Sequence, residues 1–136
     1  MGLRLGFIGV GGIAQRHLAN AAARQDVTIV GHADIRRERA EEAAAKYGGR
    51  AYDHCAGLLA AERPQAVVIC TPPDAHGDIE EACAAQGVPF FVEKPVAVSM
   101  DLAARVKRAV DAAGITTQVG YMYRFCEGVR QARSTV

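Results

Sequence analysis

At 136 residues the chain has room for one domain with a core of its own, and a second domain of ordinary size does not fit. Sixteen basic against fifteen acidic residues leave a net charge of +1 with no basic block, which removes the electrostatic case for nucleic acid or an anionic membrane surface. No apolar run reaches the roughly 20 residues that cross a bilayer. The four cysteines, Cys55, Cys70, Cys83 and Cys126, stand far apart with no metal-like spacing, so they read as small apolar residues of a reduced, cytoplasmic protein without a metal site.

Leu3 to Ile8 (LRLGFI) has the apolar character of a buried strand, and Gly9-Val10-Gly11 is a turn too tight for side chains that opens into helix-forming sequence at Gly12. Ile13 to Arg24 is Ala-rich, with Ile13, Leu18 and Ala21 or Ala22 at near-helical spacing, and predicts the first helix. Val27 to Ala33 (VTIVGHA) is a second strand closed by Asp34, and Arg37 to Tyr47 a second helix stopped by Gly48-Gly49. Arg50 to Tyr52 fits only a short strand; Asp53 or His54 then begins a short helix through Leu58 and Leu59 that Pro64 ends. Gln65 to Cys70 (QAVVIC) is the most continuously apolar strand, as one covered on both faces should be, and Thr71-Pro72-Pro73 breaks it. Asp74 is placed to cap a helix over Ala75 to Gln86, which Gly87 terminates before a fifth strand, Pro89 to Val92, and the sequence Glu93-Lys94-Pro95. Ser99 caps Met100 to Ala113, with Leu102, Val106 and Val110 on one face; after Gly114, Thr116 to Tyr121 reads as a sixth strand.

Strands alternating with helices across short loops predict a single α/β domain, a doubly wound, mostly parallel sheet of six strands in the order 3-2-1-4-5-6. Ligands of such sheets lie beyond the carboxyl ends of the strands, where the order reverses. Those ends carry Gly9 to Gly12, then Asp34, Ile35 and Arg36, then Cys70 to Pro73, then Glu93 to Pro95, and finally Gly120 to Phe125. Gly9, Gly11 and Ala14 fit G-x-G-x-x-A at a strand-to-helix junction, where free amides and the positive end of the helix dipole attract a phosphate. Asp34 follows Ala14 by twenty residues at the end of strand two, the place of an acid that accepts from the ribose hydroxyls of NAD and repels the extra phosphate of NADP. Arg36 and Arg37 just beyond it are suited either to that phosphate or to a solvated helix face, so NAD is favoured and NADP stays open. Lys94, between Glu93 and Pro95, projects either toward a substrate oxygen or simply into solvent.

Together, GFIGVGGIA, ADIRRERAEEAAAKYG, AVVICTPPDAHGDIEEACAAQGVPFFVEKPVAVS and QVGYMYRF resemble the N-terminal domain of the glucose–fructose oxidoreductase, inositol dehydrogenase and rhizopine-catabolism family, over essentially the whole chain. The specific part is Thr71-Pro72-Pro73 with His76, followed by Glu93-Lys94-Pro95. The resemblance implies an NAD- or NADP-dependent oxidoreductase acting on a sugar, cyclitol or related polyol. Gly9, Gly11, Gly12, Ile13, Asp34, Ile35 and Arg36 would hold the cofactor, with Thr71 and Pro72 along the nicotinamide ribose and His76 nearby. Glu93 and Lys94 would complete its site, Lys94 as the catalytic residue touching cofactor and substrate oxygen, with a cis bond before Pro95. Tyr121, Tyr123 and Arg124 match a segment that borders the site. The resemblance further implies that residues 1–125 form the dinucleotide-binding domain, and that 126–136 begin the connection to a C-terminal domain. That domain would supply the acid/base group, most substrate contacts and the contacts of a homo-oligomer. The other class of function open to the sequence is a stand-alone dinucleotide-binding sensor or partner-binding module; an inactive remnant is a third.

Overall fold

Side-chain alternation along the strands decides how the layers assemble. In the computed structural model, which describes residues 2–135, β1 (Leu3–Ile8), β2 (Val27–Ala33), β3 (Arg50–Tyr52), β4 (Ala66–Ile69), β5 (Phe90–Val92) and β6 (Thr117–Val119) form one sheet. Every pairing is parallel and the order is β3-β2-β1-β4-β5-β6, as the alternation of elements required. Phe7, Ile29 and Val68 point to one face, where they pack with Leu18 and Ala21 of α1 (Gly12–Ala22) and Ala43 of α2 (Arg37–Tyr47). Ile8, Val67, Ile69, Phe90 and Val92 point to the other. There they meet Leu58 and Leu59 of α3 (Cys55–Glu62), Cys83 of α4 (Asp78–Ala85) and Val106 of α5 (Met100–Ala113). Each fully buried side chain of this size contributes about 1.5–3 kcal/mol. The sheet is therefore held from both sides at its centre, β1 and β4, and the break between their crossovers opens at the carboxyl edge.

Ser99 caps α5 as expected, its hydroxyl accepting the Leu102 N–H at 3.2 Å. A final helix, α6 (Glu127–Thr135), follows a short 3₁₀ turn over Met122–Phe125. Two elements differ from the sequence expectation. The helix expected at Ala75 begins only at Asp78; Pro73–Ala75 is a 3₁₀ turn, His76 is extended, and Gly77 turns with φ of 111°. Asp74 therefore caps nothing, and the Glu80 carboxylate receives the Gly77 N–H instead. The sixth strand also stops at Val119, because the Tyr121 and Met122 amides turn back onto the carbonyls of Val119 and Gly120.

Candidate functional site

The turn after β1 passes close against the end of β4. Gly9 has φ of 78°, and a Cβ there would lie 2.8 Å from backbone atoms of Cys70 and Thr71 at the end of β4. Only glycine lets β1 pass β4 this closely and still turn into α1. The Gly9 N–H donates to the Ala33 carbonyl at 2.8 Å and the Val10 N–H to Asp34 Oδ2 at 3.0 Å, so the turn is tied to the end of β2 on its other side. Asp34 Oδ1 accepts the Arg36 N–H at 2.9 Å, which fixes the carboxylate's orientation.

Among the described residues no side chain caps α1, its first turn carries no acid, and a Cβ at Gly12 would meet nothing within 4 Å. The positive end of the helix is thus open, the condition for receiving an anion. It faces a cavity of about 580 Å³ lined by Gly9, Gly11, Gly12, Asp34, Ile35, Arg36, Thr71 and Pro72 among others. That volume suits a nucleotide-sized ligand. The Thr71 hydroxyl is buried in this wall without a hydrogen-bond partner among the described residues, and a bound polar group would satisfy it. Open amides, an oriented carboxylate and an orphaned hydroxyl around one cleft fit a dinucleotide.

Arg39, Asp53, His54, Cys55, Ala75 and Ile79, none of which the sequence assigns to the site, also line the cleft. Arg39 stands in the first turn of α2, with Nη1 3.4 Å from where a Gly11 Cβ would stand. Arg37 is turned away, paired with Glu41 and Asp53 at 3.0 Å each. Of the two basic positions weighed from the sequence, the structure places Arg36 in the cleft and Arg37 outside it. Burial pushes the Cys70 thiol up to about 12, with the Glu93 charge adding to the effect, so Cys70 serves as apolar wall.

The other expected residues sit apart from the main cleft. Lys94 is exposed and lines a neighbouring cavity of about 350 Å³ with Gly120, Tyr121, Met122, Tyr123 and Arg124; the Lys94–Pro95 bond is cis. Ile13 lines a further cavity of about 300 Å³ with His17, Glu93 and Gly120. Glu93 does not reach the main cleft: Oε1 meets His17 Nε2 of α1 at 2.8 Å, and Oε2 accepts the Lys94 N–H at 3.2 Å. His17 was missed because nothing in the spacing of α1 and β5 announces that they meet at this corner. His76 is buried, its Nε2 donating to the Thr71 carbonyl at 3.1 Å and its Nδ1 lying 3.2 Å from Glu80 Oε1. Its ring thus stands behind the Thr71 wall.

Residues 3–121 match the model of an oxidoreductase family with an NAD-binding Rossmann fold. Among curated relatives, the rhizopine catabolism protein MocA of Rhizobium meliloti is 31% identical over 98% of this chain and 42% of its own length. An inositol 2-dehydrogenase of Pseudomonas savastanoi pv. phaseolicola is 32% identical over 100% of this chain and 42% of its own. The crystal structure of scyllo-inositol dehydrogenase from Lactobacillus casei with bound NAD(H) and scyllo-inositol superposes with a TM-score of 0.89 at 20% identity, over 98% of this chain and 40% of that one. The fold is shared with it, and the chain spans about two fifths of the length of these relatives.

Proposed function

This chain belongs to the glucose–fructose oxidoreductase, inositol dehydrogenase and rhizopine-catabolism family of oxidoreductases with an NAD-binding Rossmann domain, and on that premise we propose that it is the cofactor-holding half of a cytoplasmic dehydrogenase acting on a cyclitol or related polyol. The observation that carries this reading is the open N-terminus of α1 facing a cleft walled by Asp34 on one side and Thr71 on the other. A nicotinamide dinucleotide supplies the hydride acceptor or donor. Gly9 and Gly11 admit its pyrophosphate, the amides of Gly12 and Ile13 bind it, and Asp34 accepts from the adenosine ribose. Ile35 covers the adenine side, and Thr71 and Pro72 line the nicotinamide ribose. Lys94 donates to the substrate oxygen as charge develops there, and Glu93, held by His17, keeps the Lys94 backbone in place. The acid/base group and most substrate contacts are assigned to the length that the relatives possess beyond this chain. Tyr121, Met122 and Tyr123 expose apolar surface beside Lys94, a face suited to such a neighbour and to assembly as a homo-oligomer.

NAD is the proposed cofactor because the Asp34 carboxylate is already fixed by two backbone donors and stands in the cleft as a negative charge. Titration calorimetry with NAD and NADP tests this directly. NAD should bind more tightly, and Asp34→Ala should weaken NAD by about tenfold or more while leaving NADP less affected, the scale of losing charge-assisted hydrogen bonds. An unchanged preference removes Asp34 from the site. The competing sensor-module reading makes no use of Lys94. In a polypeptide carrying the relatives' full length, Lys94→Ala should lower turnover by about 10²- to 10³-fold; intact turnover would leave the lysine without a catalytic role.

A further inference from the structure

Glu80 is fully buried and is held in α4 behind the Thr71 wall of the cleft. Its Oε2 receives the Gly77 N–H, and its Oε1 lies 3.2 Å from His76 Nδ1, within ion-pair distance, with neither of these two atoms making an aligned hydrogen bond among the described residues. On the far side of the ring, Nε2 reaches the Thr71 carbonyl at 3.1 Å and must carry a hydrogen to do so. Beside an ionised Glu80, a neutral imidazole has then no hydrogen left for Nδ1, and two lone pairs would confront each other in a site closed to water.

We propose that His76 and Glu80 are positioning residues of the cofactor cleft: a His76 protonated on both ring nitrogens, stretched between the Thr71 carbonyl and the Glu80 carboxylate, holds the Thr71-Pro72 wall in its binding position. This rests on the cofactor reading of the cleft. The Glu80 contact, with the Thr71 and Val96 backbones assisting, raises His76 above its ordinary value against the opposing effect of burial. Val96 lies two residues beyond Lys94, so the same ring stands between the chain ends that follow β4 and β5. Loss of the second proton leaves Nδ1 and Oε1 in acceptor-to-acceptor contact. The ring must then move, and the Thr71 carbonyl loses its donor.

Other groups around the pair do not imitate this. From α3 and α4, Cys55 and Cys83 are pushed upward by burial, Cys83 to about 12. From α5, Arg105 is engaged by Asp78 at 2.7 Å and Glu81 at 3.0 Å at the surface. Asp74 is exposed on the 3₁₀ turn. His54 lines the cleft in the native chain and in any Glu80 variant alike.

Glu80→Gln is the discriminating change, because glutamine can donate to a neutral His76 Nδ1 and still accept from Gly77, satisfying the network without the extra proton. Two measurements are made on the native chain and the variant from pH 6 to 10: ¹⁵N shifts of the His76 ring, and the dissociation constant for NAD by calorimetry. The native ring should carry both protons at pH 7 and lose one on the alkaline side of an ordinary histidine, and NAD affinity should fall roughly tenfold by pH 9.5, the scale of one charge-assisted hydrogen bond. The variant should show a bare Nδ1 throughout and an affinity nearly constant over the alkaline range. A native ring already singly protonated at pH 7 overturns the proposal, as does an equal alkaline fall of affinity in both proteins. NAD that fails to bind either protein at any pH overturns the cofactor reading instead, a pattern the ring shifts separate from failure of the tie. Should Glu80→Gln not fold, the native ring shifts alone still decide whether the second proton is present.

Discussion

Gly9 and Gly12 lie three residues apart in the same glycine turn and answer to different demands. At Gly9 both the positive φ and the backbone of Cys70 and Thr71 forbid a side chain. Gly9→Ala should therefore destabilise the chain by at least about 1–3 kcal/mol, the cost of a strained left-handed residue before any clash is counted, measured as a shift in urea midpoint. At Gly12 nothing lies within 4 Å of a Cβ, and the residue opens a helix. Gly12→Ala should leave stability unchanged or raised by up to about 1 kcal/mol, while weakening NAD because the methyl group stands where the ligand must approach. The fingerprint was legible in the sequence because glycine at fixed spacing has few other uses. The difference between the two glycines was not, since it depends on β4, nearly sixty residues later. Arg39 was hidden for a similar reason: only the crossing of α2 over the β1 turn brings it beside Gly11.

Two elements are pinned to the sheet by histidines whose roles the sequence did not disclose. His17 joins α1 to the end of β5 through Glu93, and His32 joins β2 to the end of α2, Nε2 donating to the Gly48 carbonyl at 2.7 Å. Burial lowers His32 below its ordinary value, with the Gly48 carbonyl acting in the opposite direction. At His32 the unfolded chain takes up a proton at a higher pH than the fold does, so the part of the stability linked to His32 is complete above about pH 6.5 and falls as pH drops from there toward the depressed value. His32→Gln keeps a donor for Gly48 without the titration. Its urea midpoint should change less than that of the native chain between pH 7.5 and 5, and parallel curves would remove His32 from the acid response. The helix after β4 illustrates what periodicity misses at this scale. Asp74 has the right identity for a cap, but the buried His76 and Glu80 draw Gly77 into the turn and delay α4 by three residues.

Binding of a dinucleotide to the folded cleft alone should act on the molecule as a unit. At a hundredfold excess over its dissociation constant, NAD adds about 2.7 kcal/mol of stability, which for a chain of this size corresponds to a rise in Tm of roughly 5–15 °C. No shift beyond that of a matched salt control would sink the cofactor assignment. The order of the sheet, its two-sided core and the location of the cleft were determined by the sequence alone. Alternating apolar runs, glycine stops and short loops leave a parallel, doubly wound sheet as the arrangement that buries every strand, and its switch point is fixed by strand order. Strand order brings Asp34 and Thr71 to that cleft; which of the remaining candidates enter it was decided only by the tertiary structure. Arg37 is drawn off by Asp53, and Glu93 and His76 are held back by His17 and Glu80. These outcomes rest on pairings between residues far apart in the chain or turned by a buried charge, and a one-dimensional spacing carries no record of either.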